Sequence, residues 1–207
     1  MDKLDLTKRY KSYYTAKAKP EITEIEPAKF LSIQGVGDPS GSDFADNVQA
    51  LYATAYAIKF VCKALNKDFV VSKLEGLWWF DEQKYKGYTM EEAPVKIPRS
   101  EWGYRLLIRM PEYVTEQIVQ EAIASTVEKK ELPLAREIEL YPMTEGKVVQ
   151  MLHVGPFNKE TETLLQMNEF IQENNFDRNG LHHEIYLSDF RKTAPEKLKT
   201  ILREPVK

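Results

Sequence analysis

The sequence is poor in the features that mark several large classes of protein. Its single cysteine, Cys62, excludes an intramolecular disulfide and a cysteine-based zinc site. It contains no run of about 18 apolar residues, the length that a transmembrane helix needs. Its first residues lack the apolar core of a signal peptide. We therefore expect a cytoplasmic protein that makes no membrane contact.

An excess of positive charge is also absent. The formal net charge is −3, so the chain has no electrostatic footprint for nucleic acid, which requires a clearly basic face. Hydrophobic residues make up 43% of the chain and charged residues 29%, which is typical of a soluble globular protein. The composition therefore gives no reason to expect direct binding of nucleic acid, and it leaves a homodimer open.

The common catalytic and cofactor motifs are missing. There is no Gly-x-Ser-x-Gly elbow, and Gly35-Val36-Gly37 lacks the third glycine of a dinucleotide fingerprint. His182 and His183 are adjacent on a predicted strand, so their side chains point to opposite faces and cannot easily share one metal with His153. We predict neither a cofactor nor a metal ion, and we expect His183 to be a core histidine or to support the site from behind.

Two predicted strands each carry a carboxylate among apolar and aromatic neighbours. Glu184 lies in the middle of the strand over residues 181–187, and Glu75 lies within the strand over residues 69–81. A charge in such a place must be paired, must have a shifted pKa or must serve a ligand. One interpretation is an acid/base or cation-recognising pair, for which both residues are candidate catalytic groups. The alternative is a structural role in which the carboxylates are satisfied by Arg105, Arg109 or Lys73.

The two halves of the chain repeat one order of predicted elements: strand, helix, strand, strand. A Gly-to-Pro turn follows the first strand in each half, and an Arg-x-Pro sequence, at Arg109 and at Arg203, ends each half. The repeat predicts an α+β fold, in which two strand-helix-strand-strand modules are related by a pseudo-twofold axis. An antiparallel sheet and its bordering helices would enclose a central cleft. The predicted parts are an N-terminal arm over 1–27 and a domain over 28–207, with modules over about 28–111 and 136–207 and a linking helix over about 112–130.

The repeat also predicts where the cleft residues lie. If Glu75 and Glu184 are counterparts, they approach each other near the pseudo-twofold axis. Strand alternation places Glu75 and Trp79 on one face and Glu184 on the matching face, while Trp78 points away. We expect the remaining ligand-binding candidates to be divided between the cleft and the core. The full set of these candidates is Trp78, Trp79, Trp102, Tyr104, Tyr186, Tyr52, Tyr56 and His182.

Two further segments carry weaker expectations. Residues 1–20 are rich in lysine and tyrosine, which predicts an arm on the surface that is anchored by its tyrosines. Residues 82–98 contain many charges and two prolines, which predicts a long loop of the kind that often serves as a lid.

Several short motifs resemble the GyrI-like family of small-molecule-binding proteins, which is related to the effector domains of multidrug-responsive regulators. The similarity is closest to a stand-alone branch that resembles cyclopropanoid cyclohydrolases. The motifs are Tyr13-Tyr14-x-Ala16-Lys17, Gly35-x-Gly37-Asp38-Pro39, Leu51-Tyr52-x-x-Ala55-Tyr56, Leu74-Glu75-Gly76-Leu77-Trp78-Trp79, Gln150-x-x-His153-x-Gly155-Pro156, His182-His183-Glu184-Ile185-Tyr186-Leu187-Ser188-Asp189 and Lys199-Thr200-Ile201-Leu202-Arg203-x-Pro205.

The resemblance implies two functions. In the regulators, an acidic residue in an aromatic cleft recognises cationic lipophilic drugs, and Glu184 lies at the matching place. Some free-standing members hydrolyse cyclopropane-bearing, DNA-alkylating toxins with a cleft glutamate and aromatic residues. We therefore expect a detoxifying hydrolase of electrophilic aromatic compounds with Glu184 as general base. The alternative is a non-catalytic protein that binds or sequesters lipophilic, often cationic, drugs.

Overall fold

The computed structural model describes residues 3–89 and 92–207. Met1 and Asp2 of the predicted arm, and Met90 and Glu91 of the predicted loop, lie outside the described residues. The strands are β1 (Leu4–Asp5), β2 (Glu21–Ile25), β3 (Ala28–Val36), β4 (Phe69–Val70), β5 (Leu74–Trp79), β6 (Gly103–Met110), β7 (Glu139–Met143), β8 (Gly146–Val154), β9 (His182–Tyr186) and β10 (Lys199–Pro205). The α-helices are α1 (Leu6–Arg9), α2 (Ser42–Ala64), α3 (Ala93–Lys96), α4 (Glu116–Lys130) and α5 (Glu160–Glu173).

The main sheet is antiparallel and has the strand order β2-β8-β10-β9-β5-β6-β3-β7. Its centre is the pairing of β5 with β9. From that centre, β6 and β3 follow on one side, and β10 and β8 follow on the other. Each side therefore contains one strand-helix-strand-strand module in the same spatial order. This arrangement confirms the predicted fold class of two modules about a pseudo-twofold axis.

The register of the sheet corrects the predicted match between the two glutamates. The Arg-x-Pro ends of the modules align Ile108 with Leu202. Ile108 pairs with Leu74, whereas Leu202 pairs with Glu184. The counterpart of Glu184 is therefore Leu74, and Glu75 is one residue out of register. Because side chains alternate along a strand, this single step places Glu75 and Glu184 on opposite faces of the sheet.

Helices α2 and α5 cover the same face of the sheet, one over each module. On α2, residues at helical spacing such as Leu51 and Ile58 are fully buried against β3 and β6. On α5, Leu164 and Met167 pack against β8 and β10. Helix α4 packs beside α2 and buries Val119 in the same cluster. The gap between α2 and α5 leaves the central strands β5 and β9 open to a cavity.

The opposite face of the sheet is covered by the N-terminal segment. Tyr13 and Tyr14 are buried there in a cluster with Leu77 and Ile185 of the two central strands. These two tyrosines therefore anchor the arm by burying their rings in the core, as the expectation of tyrosine anchors implies. Their rings exclude water from the sheet, and both hydroxyls reach Glu75. Strand β2, which the sequence did not predict, continues this segment along the edge of β8.

One predicted boundary is also corrected. The strand predicted over 69–81 is divided into β4 and β5, and β4 pairs in parallel with β1 in a separate two-stranded sheet. Before β7, Pro133–Glu137 forms a 3-10 turn that leads into this edge strand. Within residues 3–89 and 92–207, no helix combines the length and the apolar character that a membrane span requires.

Candidate functional site

A cavity of about 510 Å³ lies between α2 and α5, above the two central strands. This volume is within the range of small-molecule sites, which are concave and mostly apolar with a few placed polar groups. Its walls are largely aromatic. Trp78 packs edge-to-face on Trp102 with ring centroids 6.0 Å apart, and Phe157 meets Tyr186 in the same geometry at 5.9 Å. The site can therefore hold a flat apolar ligand.

Glu184 projects from β9 into this cavity. Its side chain is 13% exposed, and Oε1 lies 3.4 Å from Nε2 of His182. The other ring nitrogen of His182 lies 2.7 Å from Oε1 of the buried Glu204. Burial lowers the pKa of His182, but the two carboxylates outweigh burial and raise that pKa to about 10. An imidazolium therefore holds the Glu184 carboxylate from one side while the cavity leaves its other side open.

Glu160, the first residue of α5, lines the same cavity. It is 7% exposed, and its Oε1 has no hydrogen-bond partner among residues 3–89 and 92–207. Burial raises the pKa of Glu160 well above its usual value, and the negative charge of Glu184 raises it further. The cavity therefore contains two carboxyl groups, and the surroundings of Glu160 favour its neutral form.

Gly76 makes room for a hydrogen bond on the floor of the cavity. It pairs with Glu184 across the central strands. Trp78 Nε1 donates a hydrogen bond of 3.1 Å to the hydroxyl of Tyr186. A Cβ atom on Gly76 would lie 3.0 Å from Trp78 Nε1 and 3.1 Å from the Tyr186 hydroxyl, so only glycine fits without displacement. Burial and the nearby Glu184 raise the pKa of Tyr186 well above its usual value, which keeps its hydroxyl protonated.

Trp102, in the wall of the cavity, has an indole N–H group that donates no hydrogen bond in the described residues. It lies between the 3-10 turn at Arg99–Glu101 and β6, and its ring borders the cavity. Its buried Nε1 has no hydrogen-bond partner in the part of the chain that the structure describes. An unpaired buried donor is costly, and a ligand oxygen would relieve that cost.

Six of the predicted site residues border the cavity. Trp78 does so although strand alternation predicted that it points away, because it shares its face of β5 with Leu74 rather than with Glu75. Trp79, at the end of β5, lies against Gly103 and also borders the cavity. The six residues are Glu184, His182, Tyr186, Trp78, Trp79 and Trp102.

Glu75 is not part of the cavity, and its predicted approach to Glu184 is wrong. It is fully buried on the opposite face. Its Oε2 lies 3.1 Å from Nε2 of His183 and accepts a hydrogen bond of 2.5 Å from the hydroxyl of Tyr13. Glu75 therefore has the structural role that the sequence left as an alternative. Its partners are a histidine and two tyrosines rather than the predicted arginines or lysine.

The remaining tyrosine candidates lie away from the lining. Tyr104 is a buried second layer behind Trp78, and its hydroxyl accepts a hydrogen bond of 3.0 Å from Nδ2 of Asn47. Tyr52 packs against the core cluster under α2, and Tyr56 is 48% exposed. Tyr52 and Tyr56 lie one helical turn apart, along a flank of α2 that does not border the cavity.

Sequence reasoning missed Glu160, and a signal for it was present. Glu160, Thr163, Leu164, Met167 and Ile171 follow the spacing of one helix face, and all five are buried. A glutamate at an apolar-face position indicates a buried carboxyl group. Phe44, Phe157 and Phe190 also border the cavity, but they carry no such sequence signal.

The part of the chain that the structure describes contains no cluster of three or more His, Cys, Asp or Glu side chains that could hold a metal ion. His153 bonds instead within its own module. Its Nδ1 lies 2.9 Å from Oγ1 of Thr163, and its Nε2 lies 3.3 Å from the carbonyl of Pro156. It therefore fixes the turn that leads into α5.

The chain belongs to the GyrI-like family: the family model for the GyrI-like small molecule binding domain matches residues 18–207. Small-molecule binding is therefore the class of function that the family and the cavity share. No curated protein sequence matches the chain.

Solved structures with the same fold come from Listeria innocua. A crystal structure of a conserved protein is 38% identical, with a TM-score of 0.88, and the match covers 99% of this chain and 100% of that one. A hydrolase from this organism is also 38% identical, with a TM-score of 0.84 and the same coverage. Another structure of a hydrolase from Listeria innocua is 36% identical over 100% of both chains, with a TM-score of 0.86.

Proposed function

We propose that this protein hydrolyses electrophilic, cyclopropane-bearing aromatic compounds, with Glu184 as the general base. The observation that carries the proposal is the position of Glu184. Its carboxylate is held by the His182 imidazolium and faces a cavity with aromatic walls. A base for this reaction must stand beside the flat ring of the substrate and must reach a water molecule. The similarity to two hydrolase structures from Listeria innocua supports a hydrolytic reaction.

The proposed reaction adds one water molecule and opens the strained ring. Trp78, Trp102 and Tyr186 stack on the conjugated ring system of the substrate. Glu184 takes a proton from water, and the water oxygen bonds to the ring methylene carbon. The carbon–carbon bond of the cyclopropane breaks, and its electron pair moves through the conjugated ring to the carbonyl oxygen, which becomes a phenolate. Such a reaction would detoxify DNA-alkylating compounds in the cytoplasm.

The proposal predicts a large effect of Glu184→Gln on turnover. The purified protein is incubated with a spirocyclopropyl cyclohexadienone, and mass spectrometry follows the gain of one water molecule. Because general-base assistance is typically worth about 10²–10⁴-fold, Glu184→Gln should lower turnover by that factor while the affinity for the phenol product stays the same.

The matched control is Glu162→Gln, which changes an exposed glutamate on α5 and should have wild-type turnover. Equal turnover in Glu184→Gln and the wild type would remove Glu184 from the role of base.

A second function, a non-catalytic binder of lipophilic cations, is favoured by the same carboxylate. Glu184 is surrounded by Trp78, Trp102 and Tyr186, and a carboxylate among aromatic faces recognises a cation by charge and by cation–π attraction. Under this alternative, the dienone gains no water. Glu184→Gln then weakens the binding of a lipophilic cation such as tetraphenylphosphonium and leaves the binding of a neutral aromatic compound unchanged.

A further inference from the structure

A second carboxyl group in the cavity has an oxygen atom without a hydrogen-bond partner in the described residues. Glu160 is 7% exposed, its Oε1 makes no hydrogen bond, and it borders the cavity from α5 while Glu184 borders it from β9. A buried polar atom without a partner is rare in a native protein. A ligand that forms a hydrogen bond with Oε1 of Glu160 would supply the missing partner.

The surroundings of Glu160 keep its carboxyl group protonated. Burial disfavours its charged form, and the nearby Glu184 carboxylate disfavours it further, so its pKa is raised. His182 opposes this effect, but it is engaged by Glu204 and Glu184. When the surroundings of two carboxyl groups push their pKa values apart, one group can act as an acid and the other as a base in the same site. Tyr186 also interacts with Glu160, and Arg99 borders the same cavity.

We propose that Glu160 is the proton donor of this cavity. This inference rests on the function proposed above for Glu184. Its O–H group hydrogen bonds the substrate oxygen on which negative charge develops, and it transfers its proton there as the cyclopropane opens. The unpaired Nε1 of Trp102 donates a second hydrogen bond to the same oxygen.

The proton transfers balance over one cycle. Glu184 receives a proton from water, the hydroxyl group bonds to the methylene carbon, and the released electron pair reaches the phenolate oxygen. Glu160 gives its proton to that oxygen, so the product is a phenol with a hydroxyalkyl side chain. Water then returns a proton from Glu184 to Glu160, which restores the starting state.

The first measurement is independent of turnover. Infrared spectroscopy of the wild type at neutral pH should show the carbonyl band of a protonated carboxylic acid, and Glu160→Gln should remove that band. Glu162→Gln, an exposed neighbour on the same helix, should keep it. Glutamine replaces one neutral side chain by another of the same shape, so the variant should fold and keep its affinity for tyrosol, the hydrolysis product of the dienone. A band that is absent from the wild type, or that survives in Glu160→Gln, would overturn the proposal.

The second measurement is the single-turnover rate of dienone hydrolysis against pH. The wild-type rate should fall at high pH as Glu160 loses its proton. Glu160→Gln should be slower by about 10²–10⁴-fold and should lack this high-pH decrease. Glu160→Asp, which keeps an acid at shorter reach, should recover part of the rate.

The outcomes separate the two proposals. Hydrolysis that requires Glu184 but proceeds equally fast in Glu160→Gln overturns only the role of Glu160. A wild type that never converts the dienone overturns both proposals.

Discussion

Two neighbouring histidines on β9 face opposite sides of the sheet, and each lies between two glutamates. His182 faces the cavity between Glu184 and Glu204. His183 faces the N-terminal segment between Glu75 and Glu145. For both histidines, burial lowers the pKa but the flanking carboxylates raise it above its ordinary value. The same local chemistry therefore occurs on both faces of one strand.

The two sites differ in how completely their hydrogen bonds are made. On the N-terminal face, Glu75 accepts hydrogen bonds from the hydroxyls of Tyr13 and Tyr14. Arg203 joins Glu145 to the backbone carbonyl of Tyr13, which extends the network. Every charged group named here has partners, and the N-terminal segment seals the network from water.

On the cavity face, the network is incomplete. Glu184 opens to the cavity, and Glu160 and Trp102 each have a buried polar atom without a partner. A buried ionic network that is fully satisfied fixes a structure, whereas unsatisfied groups around a hollow indicate a site for a ligand. The comparison teaches that a buried carboxylate alone does not identify a functional residue, because Glu75 is fully buried and its contacts serve the fold.

The largest expected effect compares the two glutamates directly. Glu75→Ala should lower the free energy of unfolding by about 3–5 kcal/mol, because it removes one partner of a buried charge and leaves tyrosine hydroxyls unpaired. Glu184→Ala should cost about 1 kcal/mol, since water in the cavity can replace the lost contacts of His182. Urea denaturation of both variants measures the difference.

If Glu184→Ala proved as destabilising as Glu75→Ala, the cavity face would also be a structural network, and the contrast between the two faces would be lost. Glu162→Ala on the exposed side of α5 serves as the control and should have wild-type stability.

The sequence predicted the fold at the level of modules because the order of elements and the Arg-x-Pro ends are long-range patterns. It could not assign Glu75 correctly. The sequence match between Glu75 and Glu184 was one residue out of register, and strand alternation converts that small error into the wrong face of the sheet. Only the pairing of β5 with β9, which depends on tertiary contacts, fixes the register.

The cavity lining was predictable only in part, because part of it also depends on tertiary contacts. Residues such as Trp102 and Tyr186 lie on predicted strands near Glu184, so their place followed from the modules. Phe157 lies in the 3-10 turn Phe157–Lys159 and Phe190 lies in the loop after β9, and their contact across these two segments is tertiary. Tyr104 carries the same aromatic signal as Trp102, but it packs one layer deeper because Gly35 leaves room for its ring.

The second prediction uses pH to compare the two histidines. The folded pKa of His182 is about 10, above its ordinary value near 6.5, so its contribution to stability is complete below pH 6.5 and is lost as the pH rises through about 10. Between pH 7 and pH 9, wild-type stability should fall by about 2 kcal/mol from this group. His182→Asn should flatten the decrease in part, because the pKa of His183 is also raised and contributes in the same direction.

The measurement is urea denaturation of the wild type and of His182→Asn at a series of pH values. Equal slopes in the two proteins would show that His182 is not charged in the folded state. The imidazolium that holds Glu184 would then be removed from the proposed mechanism.

The smallest expected effect tests the floor of the cavity. Gly76→Ala places a methyl group 3.0 Å from Trp78 Nε1 and 3.1 Å from the Tyr186 hydroxyl, on the face that bears Glu184. The crowding should displace both side chains, lower the free energy of unfolding by about 1–2 kcal/mol and weaken tyrosol binding. The N-terminal network should be unaffected, since Gly76 has no side chain on that face.

Calorimetric titration with tyrosol, together with urea denaturation, measures both consequences in one variant. Tyr186→Phe is the matched comparison, because it removes the hydroxyl that Trp78 bonds without adding volume. Weaker binding in Gly76→Ala but not in Tyr186→Phe would identify the shape of the cavity floor, rather than its hydrogen bond, as the feature that the ligand requires. Unchanged binding in Gly76→Ala would place the ligand away from the central strands and would separate it from Glu184.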